Sequence, residues 1–239
     1  MDVLLGILAI ALLVMFAAFA LQAMSPAYQA WLLEGRSRRA ESVATREGLR
    51  YTEGEHVDLT KLPLPFLLQA APEFAELMSG RRDGVLFLAF TFRFSALVGS
   101  GLPPSPFFAS ADLASTCVIT RVDADLPVTT ISHETLGHWL LHLIHSDVEL
   151  HDERFESRFR VRAQDAGFAE RLVTPDMRAW LLSIDAHSAH PGFQAAGPWL
   201  LCFTRLQPPE QVPDIVGWLL TFRRLLSASL ELPNPQRGV

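Results

Sequence analysis

The stretch SHETLGHWLLHLIHSDVELH, residues 132–151, sets five histidines and three carboxylates within twenty positions. Imidazole and carboxylate are the donors that hold zinc in hydrolases, where His-Glu-x-x-His puts two histidines on one helix face and leaves the glutamate as general base. His133-Glu134 opens in that way, but the next histidine is His138, five positions on instead of four. At about 100° per residue the two imidazoles point about 140° apart, so one helix cannot bring both to one ion. His138 and His142 have the required spacing, yet Trp139 stands where the base belongs. Neither register completes the motif.

A looser site uses Glu134, His138, His142 and Glu149, which with His145 share an arc of about 80° on a continuous helix. His138 and His145 are about 10 Å apart along that axis, so at most two neighbouring histidines reach one ion at Zn–N distances of about 2.0–2.1 Å. Leu136, Trp139, Leu140, Leu143 and Ile144 fill the opposite side, as in any amphipathic helix packed on a sheet. A solvated polar face accounts for every position, so the reading assigns no catalytic residue, no metal and no cofactor. Two alternatives stay open: a membrane-bound metal-dependent hydrolase using His138 and His142 with Glu134 or Glu149, and a pH-responsive imidazole cluster titrating near pH ~6.5. His187 and His190 flank the turn SAHPG and are expected at the surface.

The remaining chemical signatures are missing. There is no Walker A run, no dinucleotide Gly-x-Gly-x-x-Gly, no Gly-x-Ser-x-Gly elbow and no zinc-ribbon cysteine pairs. Asp123-Ala124-Asp125 has the Asp-x-Asp form of sugar-nucleotide metal sites, but two aspartates joining strands are ordinary turn chemistry. Cys117 and Cys202 lie within apolar runs and read as two buried small hydrophobes, not as a disulfide framework. A formal charge of −6, with no basic stripe past residue 50, excludes a phosphate-neutralising nucleic-acid binder.

The elements that would position these groups follow from pattern. LRYTE is a short strand, and LPLPFLLQAAPEFAELM, residues 62–78, is a proline-punctuated loop with a short helix or strand. RRDG has the Asp-Gly of a hairpin turn, and VLFLAFTFRF after it is a strand with Leu86, Leu88, Phe90, Phe92 and Phe94 on one face. Residues 95–115 carry four glycine or proline clusters and read as a long loop. STCVITRV and LPVTTIS are two strands joined at Asp123–Asp125, and DVELH and FRVRAQD are two more. Thr174-Pro175-Asp176 starts a helix with a cap, proline at the first position and an acid on the dipole. PWLLCFTRL is an apolar strand, followed by a closing helix with Ile215, Leu219, Phe222 and Leu226 on its buried side. Strands and helices mix without βαβ alternation, which predicts an α+β fold: a mixed or antiparallel sheet with packed helices.

Ahead of this body, Val3 to Ala23 is uncharged, and at about 1.5 Å per residue it spans the ~30 Å hydrocarbon layer. Tyr28 and Trp31 follow as an aromatic belt, then Arg36, Arg38, Arg39, Arg46 and Arg50. The positive flank places the bulk of the chain in the cytoplasm. A cleaved signal peptide fits less well, because no basic residue precedes the apolar run and the run is longer than the usual ~7–15 residues. The expected organisation is a transmembrane helix at 1–24, a juxtamembrane helical stalk at 25–48 and a cytoplasmic α+β domain at 49–239, with a sub-boundary near 125–150 left open.

FESRFRVRAQDAGFAERLVTPDMRAWLL, residues 155–182, together with the N-terminal span, the basic helix ending in REGLRY and the final PWLLCF strand and helix, resembles a known group. These are uncharacterised single-pass membrane proteins of high-GC Gram-positive bacteria that share a domain of unknown function. The resemblance rests on Phe155, Phe159, Val161, Asp165, Thr174 and Pro175 and covers most of the chain outside residues 95–115. It implies an anchor and a cytoplasmic α+β body, with no activity to carry over, and it does not include the histidine stripe. Asp165 reads as the cap of the helix after its strand. The functional expectation is therefore a membrane-tethered, non-catalytic binding or scaffold module that contacts the bilayer through residues 3–23 and a protein partner at the cytoplasmic face. An accessory subunit of a transporter or envelope complex is the neighbouring alternative.

Overall fold

The computed structural model describes residues 35–53, 59, 62–67, 73–95, 112–133, 147–185 and 189–230. The chain divides into two units, Met1–Arg39 and Ala40–Val239. In the first, residues 35–39 are helical and the Arg39 side chain donates to the Gly35 carbonyl at 3.3 Å. The expected transmembrane helix lies outside the described residues. No helix among the described residues is long and apolar enough to cross a membrane.

The second unit is built on hairpins. Strand β1 is Arg50–Thr52, β2 is Glu73–Arg82 and β3 is Val85–Ser95. Asp83 and Gly84 take φ of 52° and 75°, the pair of positive angles that a two-residue I′ turn needs to match strand twist. The expected Asp-Gly hairpin is thus present, pairing Arg82 with Val85. Both faces of β3 are covered: Phe90 and Phe92 are buried on one and Phe87 and Ala89 on the other, while Leu86 is 63% exposed. The single apolar face expected for this strand is therefore only part of its burial.

Two expected strands are one. Strand β4 runs unbroken over Asp112–His133, so Asp123-Ala124-Asp125 is not a turn between strands, and residues 112–115 belong to β4 and not to a loop. Strand β6, Gly192–Arg205, pairs with it on one side from Ser115 to Ile131. The register slips between Arg121 and Leu126 and again before Thr129, and Gly197, opposite Leu126, takes φ +54°. A bulge with glycine absorbs the extra residues that a turn would otherwise have used. On its other side β4 pairs first with β3 and then with β5, Phe159–Ala163, in tandem. All these pairings are antiparallel.

Four helices follow sequence signals closely. They are α1 (Glu153–Glu156), α2 (Ala166–Leu172), α3 (Pro175–Ile184) and α4 (Val212–Ser229). Asp152, Asp165 and Thr174 cap the first three by accepting from the backbone N–H three residues on, at 3.1, 2.9 and 3.2 Å. The predicted α4 stripe of Ile215, Leu219, Phe222 and Leu226 is buried against one sheet face, joined by Phe168, Leu172, Met177 and Leu181 from α2 and α3. Ala40, Val43 and Ala44, within the expected stalk, are buried members of this unit as well. The opposite sheet face is covered by Leu59, Leu64 and Leu67 over Phe90, Phe92, Ile119, Leu201 and Phe203. The described body is thus an α+β unit with an antiparallel sheet and packed helices, as expected.

Candidate functional site

Among the expected metal candidates, Glu134, His138 and His142 lie outside the described residues. Glu149 is exposed and not helical: it follows the single bridge between Asp147 and Arg162, so it leaves the arc it would share with His138 and His142 on a continuous helix. The DVELH strand is reduced to that bridge and one hydrogen bond, Val148 N–H to Val161 O at 2.9 Å. Asp123 and Asp125 are both exposed on the bulged strand, where Asp123 faces Arg223. Partial burial lowers the Arg223 pKa and the Asp123 carboxylate opposes that effect, so this aspartate acts as a counter-charge to a helix residue.

Three side chains that sequence reasoning did not group come together at one end of the sheet. His133 is the last residue of β4, held by pairing with Phe159, whose ring meets the imidazole edge-on at 5.9 Å. Asp185 caps the C-terminus of α3, its N–H donating to Leu181 O at 3.1 Å. His190 precedes β6 with φ +43°. His133 Nε2 stands 3.2 Å from Asp185 Oδ1, and His190 Nδ1 stands 3.6 Å from the same oxygen. The imidazole rings are 4.3 Å apart and tilted by 32°. His190 is therefore not the surface residue the SAHPG turn suggested: its side chain is 30% exposed and its Nδ1 is buried.

The carboxylate is the pivot. Asp185 is only 2% exposed at its side chain, and Arg158 Nη1 donates to its Oδ2 at 2.7 Å. A carboxylate at the end of a helix opposes the macrodipole, so it needs a cation from elsewhere. Arg158, in the turn between α1 and β5, supplies it. Oδ1 is left facing the two imidazoles, yet among the described residues neither Oδ1 nor His190 Nδ1 has a hydrogen-bond partner. A buried polar atom without a partner costs about 1–3 kcal/mol, so such a pair is uncommon in a native fold. Two imidazoles and one carboxylate oxygen converging in this way can share a proton or hold a cation.

The site was legible only in fragments. The acid at the end of α3 was the available signal, because a helix that starts with Thr-Pro-Asp and ends in Asp has a carboxylate where the dipole disfavours one. Nothing in spacing linked it to His133, 52 positions earlier, because the link is the strand pairing itself.

No family model matches the chain, and no curated protein matches it. Among solved structures, the crystal structure of the mycobacterial trehalose monomycolate transport factor A, TtfA, is similar, with a TM-score of 0.56 and 14% identity. The likeness covers 84% of this chain and 97% of that chain. At that identity it is a likeness of fold.

Proposed function

We propose that this chain is a membrane-tethered accessory module of an envelope transport machine, acting by binding and not by catalysis. The observation that carries the reading is the extent of the fold likeness: it takes in 97% of the chain of a transport factor, so the whole body and not a common sub-motif is shared. The uncharged run from Val3 to Ala23 supports a single-pass anchor, and the arginines after it support a cytoplasmic body. Membership among the single-pass membrane proteins of high-GC Gram-positive bacteria belongs to the same reading. The anchor fixes the body near a transporter, where even a weak contact is favoured by a high local concentration.

The test is fractionation followed by purification. The full chain is expected in the membrane fraction, resistant to high salt and released only by detergent, whereas removal of residues 1–24 sends the chain to the soluble fraction. From mild detergent it is expected to co-purify with an integral membrane transport protein. Salt-extractable chain, or recovery free of any transport protein after cross-linking in intact cells, overturns the reading.

A further inference from the structure

We propose that His133, Asp185 and His190 form a binding site for one divalent ion of the zinc class, with a fourth position open to water or an external ligand. The proposal does not depend on the transport role.

Distance is the first argument. Two donors each about 2.0–2.1 Å from a tetrahedral ion stand about 3.3 Å apart. Asp185 Oδ1 lies 3.2 Å from His133 Nε2 and 3.6 Å from His190 Nδ1, on either side of that edge length. The three residues' donor atoms all fall within 4.8 Å of one another, so small side-chain rotations close the set on one point.

Direction is the second. An ordinary imidazolium–carboxylate bond would aim an N–H at Oδ1, yet Oδ1 takes part in no hydrogen bond with either ring. A cation placed between them uses Oδ1 and His190 Nδ1 together, the two atoms that burial has cut off from water.

The surroundings fit. Ligating carboxylates are usually held by an outer hydrogen bond that fixes which oxygen faces the metal, and Arg158 does this by occupying Oδ2 at 2.7 Å. Arg158 is 59% exposed, so solvent screens its charge from an ion on the inner oxygen. Two imidazoles with one carboxylate suit zinc and its first-row neighbours, whereas calcium and magnesium take oxygen sets. The ligands come from the end of β4, the end of α3 and the entry to β6, so the ion would also tie these three elements together.

The experiment uses the full chain purified in mild detergent, stripped with a chelator and titrated with Co²⁺ and then Zn²⁺. The expected result is one equivalent of Co²⁺ with the visible absorption of a tetrahedral site, displaced by Zn²⁺, and a higher thermal midpoint in the loaded protein. His190→Ala is expected to weaken binding by more than about 100-fold, since loss of an outer partner alone costs about 10- to 100-fold. His133→Gln gives a second reading if the first variant does not fold. The pair His138→Ala and His142→Ala, and separately His151→Ala, are expected to leave the titration unchanged. Absence of stoichiometric binding overturns the proposal, as does binding that survives His190→Ala and His133→Gln or disappears in the His138 and His142 pair.

Discussion

Cys117 and Cys202 sit on adjacent strands with their side chains on opposite faces of the sheet. Cys202 pairs with Val118 and Cys117 with Phe203 across β4 and β6. Cys117 packs among Phe90, Phe92 and Leu201, and Cys202 among the helix-facing residues. Their Cβ vectors point apart, so a disulfide cannot form without moving the backbone. Burial pushes both thiols well above the usual range, which keeps them protonated and unreactive. Iodoacetamide at about pH 7.5 is expected to modify neither thiol in the folded chain and both in denaturant, read by mass spectrometry. Rapid native alkylation of either would contradict the burial of both strands.

The same thiols give stability a definite pH dependence. Below the unfolded pKa of about 8.5 both states keep the proton, and the thiols' contribution is fully present. Above it the unfolded chain releases the proton while the folded chain holds it, so stability declines by up to about 1.4 kcal/mol per pH unit per thiol until the folded pKa is reached. Denaturant unfolding at several pH values from about 8 to 10 is expected to show a shallower decline for Cys117→Ala and for Cys202→Ala than for the parent. Equal slopes in all three proteins would sink this account.

Gly192 is held small by Phe203. An added Cβ would collide with the Cζ and Cε atoms of that ring, which is itself buried in the second core and cannot swing away. Gly192→Ala is expected to cost about 1–3 kcal/mol by overpacking. Phe203→Leu in the same chain should recover part of that loss, because the clash is removed while most of the apolar contact stays. The thermal midpoints of the two single variants and the double variant form the check, and strict additivity would show that the two residues do not compete for space.

The caps are separable from the sheet. Thr174→Ala and Asp165→Ala each remove one acceptor from the first turn of a helix, α3 and α2 respectively, at an expected cost of about 1 kcal/mol. Thr174→Ser, which keeps the hydroxyl, should cost far less. A full loss with serine would mean that the methyl group, not the cap, is what matters.

Local signals were readable where local chemistry decides. The Asp83-Gly84 turn, the Asp165 and Thr174 caps and the α4 stripe need no distant partner, and each appears where its pattern places it. Asp123-Ala124-Asp125 misled because its residues are turn formers, while β6, whose Gly197 lies opposite the bulge that lets β4 continue, is some seventy residues away. The cluster of His133, Asp185 and His190 was illegible for a related reason. Its geometry is set by which strand β5 pairs with and where α3 ends, and neither appears in the spacing of the histidines.

Two ion pairs with the same 2.7 Å contact are expected to differ in worth. Arg158 reaches Asp185, whose side chain is 2% exposed, whereas Arg162 reaches Asp147, whose side chain is 57% exposed. An exposed carboxylate that loses its partner is taken over by water, so the pair contributes about 0–1 kcal/mol. A buried carboxylate has no such recourse, and loss of Arg158 leaves its charge against the carbonyl end of α3, which repels it. Arg158→Ala is therefore expected to cost about 2 kcal/mol and Asp147→Ala less than about 1 kcal/mol. Raising the salt concentration should narrow the small effect more than the large one, because screening acts most on the exposed Asp147 carboxylate and less on the buried Asp185. Denaturant midpoints at low and high salt would decide it, and equal costs for the two variants would mean that Asp185 reaches solvent more freely than its 2% exposure indicates.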